Sequence, residues 1–313
     1  MSGNSSGSVK KVCVIGGAGV KNTASALKKI KGLDIKVIVS TFDSGGHTGF
    51  LRKQLGIYAI GDIRDNLIAA AGDKETSKAF STRSRMCGSN QSIGNLILVG
   101  LMNERKSHYL EAAHDLLKIP SNIRILPIVD DINYTGDLVI NTNKGKLIGE
   151  HNLDVQSGIR VNGISLSEPV DISSDAKKAI EGADFIIFGP GDIFSSILPN
   201  TLVNGFKSAL RASNAKKILI LNTMNKVNET YGYKASDFLN VFKENGITID
   251  TVVVNKGRAG KSVSRSNYGK EHGFVVNDLF GDNVFSYDLI NKRHPEQHDP
   301  DKLSLALNDI LRM

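Results

Sequence analysis

The stretch that decides the fold is KVCVIGGAG at residues 11–19, together with DIKVIVSTFDSGG at residues 34–46. The first part begins as a short apolar strand and breaks at Gly16, Gly17 and Gly19, and a helical pattern over about 20–31 precedes the second strand. Glycines in such a turn let backbone N–H groups approach an anion, and the following helix directs its positive end to the same place. The stretch therefore predicts half of a mononucleotide-binding unit and a ligand that carries phosphate.

Apolar runs of strand length alternate with helical patterns along most of the chain, which is typical of a parallel α/β sheet. We predict an α/β, Rossmann-like fold with a mostly parallel, doubly wound sheet, formed by residues 11–313 as a single nucleotide-binding domain. Residues 1–10 are rich in Ser and Gly and predict a disordered leader without a signal-peptide segment. At about 131–167, short alternating strands broken by turn residues predict an inserted antiparallel hairpin region.

The composition is that of a soluble globular protein, with 40% hydrophobic and 23% charged residues among 313. No apolar run approaches the roughly 18 residues that cross a bilayer. The net charge of +7 is scattered, and with no Trp and 6% aromatic residues the chain lacks the stacking platforms of single-strand binders. Two cysteines, Cys13 and Cys87, make no disulfide framework. We therefore expect a cytoplasmic protein that neither binds nucleic acid nor spans a membrane.

Four turns that follow apolar strands are the first candidates for ligand contact, at residues 16–19, 43–46, 189–191 and 222–225. Because ligands of open parallel sheets sit beyond the carboxyl ends of the strands, we expect these turns to form one cleft. The candidate residues are Gly16, Gly17, Gly19, Asp43, Gly189, Gly191 and Asn222. The full dinucleotide fingerprint is not met, because its third glycine position falls on Asn22.

Two charged residues near the second strand have both a functional and a plain interpretation. Asp43 ends that strand, where an acidic residue often meets a ribose hydroxyl, or Mg²⁺ where phosphate is transferred; the alternative is a turn or capping aspartate. Arg52 follows a glycine-rich loop, predicted to be flexible, from which it would reach a phosphate as a bidentate donor; the alternative is a surface arginine.

Two polar segments that precede apolar helices extend the candidate list. In GDIRDN at residues 61–66, Asp62 caps the predicted helix and Arg64 pairs with Asp65, or else Asp62, Arg64 and Asn66 contact the ligand. Further along, Ser92 either caps the next helix or forms, with Asn95, a second anion-binding helix terminus. None of the seven histidines pairs with a cysteine or carboxylate at triad or metal spacing, so a Ser-His-Asp hydrolase is unsupported.

Taken in order, these motifs resemble one family, the gluconeogenesis factor proteins, which are related to the 2-phospho-L-lactate transferase of deazaflavin cofactor synthesis. The matching segments run collinearly from residue 12 almost to the C-terminus. They are GGAG (16–19), DSGGHTGFLR (43–52), LGI (55–57), GDIR (61–64), SIGN (92–95), GPGDIFSSILP (189–199), ET (229–230), GYKASD (232–237) and HDPDKL (298–303). The resemblance implies a Rossmann-like fold, a cytoplasmic location and a nucleotide-type ligand.

The two branches of this resemblance imply different ligands. The gluconeogenesis factor branch, to which GDIR and SSILP lie closer, implies a UDP-sugar and a role in carbon metabolism and in cell shape or cell-wall synthesis. The transferase branch implies a guanosine diphosphate-linked phospholactate, a deazaflavin acceptor and Mg²⁺. Three positions depart from the family pattern: Ser44 replaces a second aspartate, Gln91 a histidine and Gln297 an arginine. The first weakens two-site metal coordination, and the last removes a phosphate contact, with Arg293 nearby.

Three functions are compatible with these residues. A non-catalytic nucleotide-sugar sensor would hold phosphates at residues 16–19 and at Ser92 and Asn95, with Tyr233 or Asn222 near the sugar or base. A transferase would move a phosphorylated group from a nucleoside diphosphate to an acceptor alcohol, with Asp43 on Mg²⁺ and Asp43 and Asp62 as catalytic residues. A scaffold would use the hairpins at 131–167 and retain only a vestigial cleft. A homodimer is compatible with each.

Overall fold

A seven-stranded parallel β-sheet forms the centre of the protein in the computed structural model, which describes residues 8–86, 89–154, 156, 158–256 and 273–313. The strands of this part are β1 (Lys10–Gly16), β2 (Leu33–Val39), β3 (Arg83–Met86), β4 (Ser89–Ser92), β5 (Ile123–Pro127), β6 (Leu138–Thr142), β7 (Gly145–Ile148), β8 (Val161–Leu166), β9 (Phe185–Phe188), β10 (Lys216–Ile220), β11 (Thr251–Asn255) and β12 (Val284–Tyr287). The order in the large sheet is β12-β11-β10-β9-β1-β2-β5. This confirms the predicted α/β sheet.

Helices cover both faces of the sheet. They are α1 (Lys21–Leu27), α2 (Gly46–Leu55), α3 (Gly61–Ala70), α4 (Lys74–Ser81), α5 (Ile93–Arg105), α6 (Tyr109–Leu116), α7 (His151–Asp154), α8 (Ser174–Glu181), α9 (Phe206–Ala212), α10 (Ala235–Glu244) and α11 (Pro300–Ile310). Among the described helices, none has the length and apolarity to cross a bilayer. The sequence predicts helix caps at Ser92 and, from the Asp299–Pro300 pair, at Asp299. Both caps are confirmed, since each side chain accepts a hydrogen bond from the first turn of its helix.

Two hydrophobic clusters lie on opposite faces of the sheet, and alternate residues of β1 belong to each. Val12 and Val14 pack in the cluster with α1, α3, α5 and α11, whereas Cys13 and Ile15 pack with α8, α9 and α10. A strand buried on both faces needs apolar side chains at successive positions, which explains the unbroken apolar runs. The double winding that the sequence predicts is therefore confirmed.

The strand order reverses beside β1. The chain passes from β1 through β2 to β5 on one side, and then returns to β9 on the other side of β1. Ile15 of β1 is in register with Phe188 of β9, and the Gly189 N–H donates to the Ile15 carbonyl at 3.1 Å. The turns that follow these two strands are therefore neighbours at the carboxyl edge of the sheet, where ligands of doubly wound folds bind.

The predicted hairpin region at 131–167 forms a separate antiparallel sheet in the order β7-β6-β8. Its side chains Leu138 and Ile140 belong to the same hydrophobic cluster as Ile15 and Phe188, so this small sheet packs on the large one. A second antiparallel pair, β3 with β4, was not predicted.

Three local predictions were wrong. The glycine-rich segment 45–49 is not a flexible loop: it starts α2, and a Cβ on Gly49 would lie 2.0 Å from the Ser44 carbonyl oxygen. Asp62 does not cap α3 but lies in its first turn, with Ile60 at the cap. Ser236, which the sequence predicts as the cap of a helix through about residue 244, does not cap α10: Lys234 is at the cap, and the Ser236 hydroxyl donates to Asp278 at 2.7 Å. Cys87 and residues 1–7 of the predicted leader lie outside the described residues.

Candidate functional site

A cleft of about 210 Å³ opens where the turns after β1, β9 and β10 meet. Its lining residues come from these turns and from the segment before α11. They are Ala18, Gly19, Lys21, Asn22, Pro190, Gly191, Asp192, Ser196, Asn222, Met224, Asn225, Lys226, Glu296, Gln297 and His298. Three of the four strand-end turns that the sequence predicts to converge therefore do so.

Glycines are required in this cleft because the two turns touch backbone to backbone. A Cβ on Gly19 would lie 2.5 Å from the Pro190 carbonyl oxygen and 2.9 Å from the Gly191 Cα. Gly189 has a φ of +77°, a conformation that favours glycine. Because no side chains lie between these two turns, a ligand can approach their backbone closely.

Buried polar side chains hold the turns in place. Thr23 Oγ1 donates to the Gly189 carbonyl at 3.0 Å, and Asn66 Nδ2 donates to the Gly17 carbonyl at 3.0 Å. Asn222 Oδ1 accepts from the Gly191 N–H at 2.8 Å. Asn66 is fully buried, so the structure places it beneath the glycine turn rather than in the open cleft.

Lys226 brings a fixed positive charge to the cleft. Its ammonium lies 2.6 Å from Asp192 and 3.6 Å from the fully buried Glu229. Glu229 also accepts from the N–H groups of Phe194 and Ser195, at 2.5 and 2.9 Å. Burial, and next the charge of Asp192, raise the pKa of Glu229 to about 7, while Lys226 acts in the opposite direction. Glu229 therefore fixes both Lys226 and the start of the short helix at Ile193–Ile197 that borders the cleft.

Three carboxyl groups lie together beside the glycine turn: Asp43, Asp62 and Glu150. Asp62 accepts from the Ala18 N–H, and burial followed by the charges of Asp43 and Asp65 raises its pKa well above the usual range. Burial, and then the charges of Asp43 and Asp62, likewise raise the pKa of Glu150, whose side chain is hydrogen-bonded to Asp43. The backbone next to Glu150 is anchored too, because the His151 N–H donates to Ser44 Oγ at 3.1 Å. The hairpin region thus places the carboxyl group of Glu150 against Asp43.

Mg²⁺, which the transferase branch of the resemblance implies, does not fit this carboxyl cluster as it stands. Within the described part of the chain, no group of three or more His, Cys, Asp or Glu side chains is arranged to hold a metal ion. The raised pKa values of Asp62 and Glu150 favour protonated carboxyls, which are poor metal ligands. A metal role for Asp43 therefore stays a prediction, and we derive no reaction step through it.

Arg52 fastens the hairpin region to the body of the protein. Its guanidinium donates to the carbonyls of Thr135 and Gly136, both at 3.0 Å, and to Asp137 at 3.2 Å. It also reaches the Asp43 carbonyl at 3.3 Å. With 6% of its surface exposed, Arg52 is an internal tie whose guanidinium is engaged by protein groups, so its predicted phosphate contact receives no support from the geometry.

Arg64, Ser92 and Asn95 form a network of their own. Arg64 donates to Ser92 Oγ at 2.8 Å and to Asn95 Oδ1 at 2.7 Å, and all three side chains are buried. It also pairs with Asp65, as the plain interpretation of the sequence predicts. The network lies outside the cleft lining, so the predicted second phosphate position at Ser92 and Asn95 receives no support from the geometry.

The remaining predicted site residues divide between the cleft and its surroundings. Gly19, Gly191 and Asn222 line the cleft, and Gly16, Gly17 and Gly189 form the buried turns beneath it. Tyr233 is half-buried and packs edge-on against Phe238, with ring centroids 5.6 Å apart, outside the lining.

Several residues of the site were missed by the sequence predictions. Lys226 directly follows the turn predicted at residues 222–225, so its position along the chain carried a usable signal. His298 lies in the matched HDPDKL segment; burial lowers its pKa to about 4, so the imidazole in the cleft wall is neutral. Glu229 lies in the matched ET segment, which was a usable signal, whereas Glu150 had none, because it does not follow a strand of the large sheet.

The fold and cleft define an α/β protein of the Rossmann-like class with a glycine-lined site at its topological switch point. Residues 12–291 match the family model of CofD, 2-phospho-L-lactate transferase. The chain is 37% identical to a proposed gluconeogenesis factor from Thermotoga maritima, over 84% of this chain and 83% of the relative. It is 30% identical to the gluconeogenesis factor of Bacillus subtilis, over 95% and 96% of the two chains.

Among solved structures, a UPF0052-family protein from Bacillus halodurans superposes with a TM-score of 0.86 at 28% identity, covering 96% of this chain and 99% of the other. The chain therefore belongs to the CofD family, and both relatives compared above are named gluconeogenesis factors. The resemblance that the sequence motifs indicate is confirmed.

Proposed function

We propose that the cleft binds a nucleoside diphosphate-linked sugar, with a UDP-sugar as first candidate. The observation that carries this proposal is the contact between the turns after β1 and β9, where Gly19 and Gly191 meet without side chains between them. A diphosphate is the ligand group that gains most from close approach to backbone at such a switch point.

Two lysines of the cleft lining can contact an anionic ligand, and the carboxylates of Asp192 and Glu296 in the same lining balance their charge. Lys226 is 12% exposed and held in place by Asp192 and Glu229, so its ammonium loses little freedom on meeting a phosphate. Lys21 adds a second cation at the rim and contacts Asp65 at 3.6 Å. The amide side chains of Asn22, Asn225 and Gln297 offer the donors and acceptors that recognise sugar hydroxyls or a base edge.

The biological role that we propose follows the curated relatives, which are named gluconeogenesis factors. The protein acts in the cytoplasm as a sensor whose bound state regulates carbon metabolism and cell shape or cell-wall synthesis. No activated nucleophile lines the cleft among the described residues, which favours binding without turnover. The homodimer stays a prediction.

A transferase is the second candidate, favoured by the family model and by the carboxyl cluster beside the cleft. A carboxylate of the Asp43, Asp62 and Glu150 cluster would accept the proton of an acceptor alcohol. The alcohol oxygen would then bond the phosphorus distal to the nucleoside, and the bond to the bridging oxygen would break. A nucleoside monophosphate would leave.

Isothermal titration with UDP-N-acetylglucosamine and with GDP, with and without Mg²⁺, tests the proposal. We expect saturable binding of the UDP-sugar, and Asn222→Ala should weaken it about tenfold because the Gly191 turn loses its hydrogen bond. Asn240→Ala, on the exposed face of α10, is the matched control. A flat titration of the UDP-sugar contradicts the sensor. Release of nucleoside monophosphate in the presence of an acceptor alcohol, abolished by Asp43→Asn, would establish the transferase instead.

A further inference from the structure

A second cavity lies at the opposite end of the sheet from the cleft, at the amino ends of β1, β2 and β5. Its volume, about 240 Å³, is similar to that of the cleft. Because a strand rises about 3.3 Å per residue, the seven residues of β1 separate the two cavities by about 20 Å. Its lining residues are Lys11, Val12, Asp34, Lys36, Arg124, Leu126, Asp175, Lys178, Ala179, Gly182 and Ala183.

The lining carries an excess of two positive charges, with four cations against two carboxylates. Both carboxylates are already paired with lysines of the same lining. Asp34 lies 2.7 Å from the Lys36 ammonium, and Asp175 lies 4.0 Å from that of Lys178. The first pair also immobilises Lys36, which is 26% exposed.

Lys11 and Arg124 are left without a carboxylate partner for their side chains within the described part of the chain. Asp184, the acidic residue next to Lys11, accepts a hydrogen bond from the Lys11 backbone N–H at 2.7 Å, not from the ammonium. Arg124 is in register with Lys36 on the adjacent strand, so the guanidinium and the fixed ammonium belong to neighbouring strands.

A nearby histidine lies in the field of these cations. The pKa of His114 is lowered to about 4, first by burial and next by the charge of Arg124. Lys36 also lowers this pKa, whereas Asp115 and Glu111 raise it.

The presence of Lys178 in the lining has an ordinary explanation, since it lies in the last turn of α8, where a cation offsets the helix dipole. That explanation does not extend to Lys11 and Arg124, which are on strands.

We propose that this cavity binds a small molecule bearing a phosphate group. The planar guanidinium of Arg124 fits two phosphate oxygens, and Lys11 and Lys36 add charge beside it. A phosphate dianion matches the excess of two positive charges. Leu126 and Ala179 supply an apolar wall that suits a compact non-polar group on the same ligand. The site is independent of the function that we assign to the cleft.

Titration calorimetry with inorganic phosphate at low ionic strength tests this site. We expect saturable binding that weakens with added salt, and a loss of about tenfold in affinity in the double variant Lys11→Gln/Arg124→Gln, because two charge-assisted contacts are removed. The control is Lys53→Gln/Lys243→Gln, which removes the same net charge from exposed positions on α2 and α10. Both pairs are exposed, and thermal unfolding checks that each double variant folds.

Three results would overturn the proposal: no saturable binding to the unmodified protein, equal weakening in both double variants, or binding that Lys21→Gln in the cleft abolishes. The last result would place the phosphate at the cleft. Phenyl phosphate should bind more tightly than inorganic phosphate because of the apolar wall. Equal affinity for phenyl phosphate and inorganic phosphate would contradict the role of the apolar wall.

Discussion

The side chains of Asp43 and Glu150 are hydrogen-bonded to each other, although Asp43 lies after β2 of the large sheet and Glu150 lies in the hairpin region, directly before α7. Two carboxyl groups make such a bond only when one of them keeps its proton. Burial and the charges of Asp43 and Asp62 raise the pKa of Glu150 accordingly. The hairpin region is thus joined to the edge of the cleft by a bond that depends on pH.

Glu150→Gln should change how stability depends on pH. The folded protein favours protonated Glu150, so this residue contributes stability below the ordinary glutamate pKa of 4.5, and the contribution is lost as pH rises through the raised value. The variant stays neutral at every pH. Relative to the unmodified protein, its free energy of unfolding should therefore be higher at alkaline pH than at acidic pH, by about 1 kcal/mol. Urea unfolding across the pH range measures this difference. Glu104→Gln, at an exposed position of α5, should show no such trend, and a parallel pH profile for Glu150→Gln would contradict the shared proton.

Glu229→Ala should destabilise the protein much more than Glu229→Gln. Alanine leaves the buried N–H groups of Phe194 and Ser195 without an acceptor, which costs about 1–3 kcal/mol for each unsatisfied group. Glutamine restores an acceptor oxygen for the two N–H groups and gives up the ion pair with Lys226 and the acceptor of the Ser195 hydroxyl. Chemical unfolding gives both values, and equal losses would show that charge, not the two backbone hydrogen bonds, decides the role of Glu229.

Gly19→Ala should separate the turns of the cleft. The new methyl group would meet the backbone of Pro190 and Gly191, which are fixed by the sheet, and overpacking of this kind costs about 1–3 kcal/mol. The affinity of the cleft for any ligand should decrease in the same variant. Gly100→Ala is the matched control, because this position of α5 is exposed with open space at the new Cβ, and the change should stabilise the helix by about 0.5–1 kcal/mol. Thermal unfolding that moves both variants alike would refute the close approach.

Arg52→Met should loosen the hairpin region. The carbonyls of Thr135 and Gly136 lose their donors, and Asp137 loses its cation, for a total of about 2–4 kcal/mol. Limited proteolysis should then cleave within residues 131–167 faster than in the unmodified protein. Lys53→Met, at the exposed neighbouring position, should leave the cleavage pattern unchanged. Resistance of Arg52→Met to cleavage would mean that hydrophobic packing alone holds the hairpins.

Much of the fold could be predicted from the sequence. The apolar runs at Val12 and Ile35, the turn at Gly16 and the caps at Ser92 and Asp299 are local signals, and the structure confirms the parallel sheet and these caps. The convergence of the turns also followed, because parallel strands end at one edge and the strand order reverses beside β1.

What the sequence alone determined is therefore the fold, the family and the edge of the sheet where the cleft lies, since periodicity and turn chemistry act over a few residues. Only the tertiary structure decided which polar groups already have partners within the protein. Arg52 donates to the hairpin region, and Arg64 donates to Ser92 and Asn95. Glu150 is hydrogen-bonded to Asp43. These pairings join residues far apart in the chain. Their energies depend on burial and on distances of a few ångströms, which no local pattern encodes.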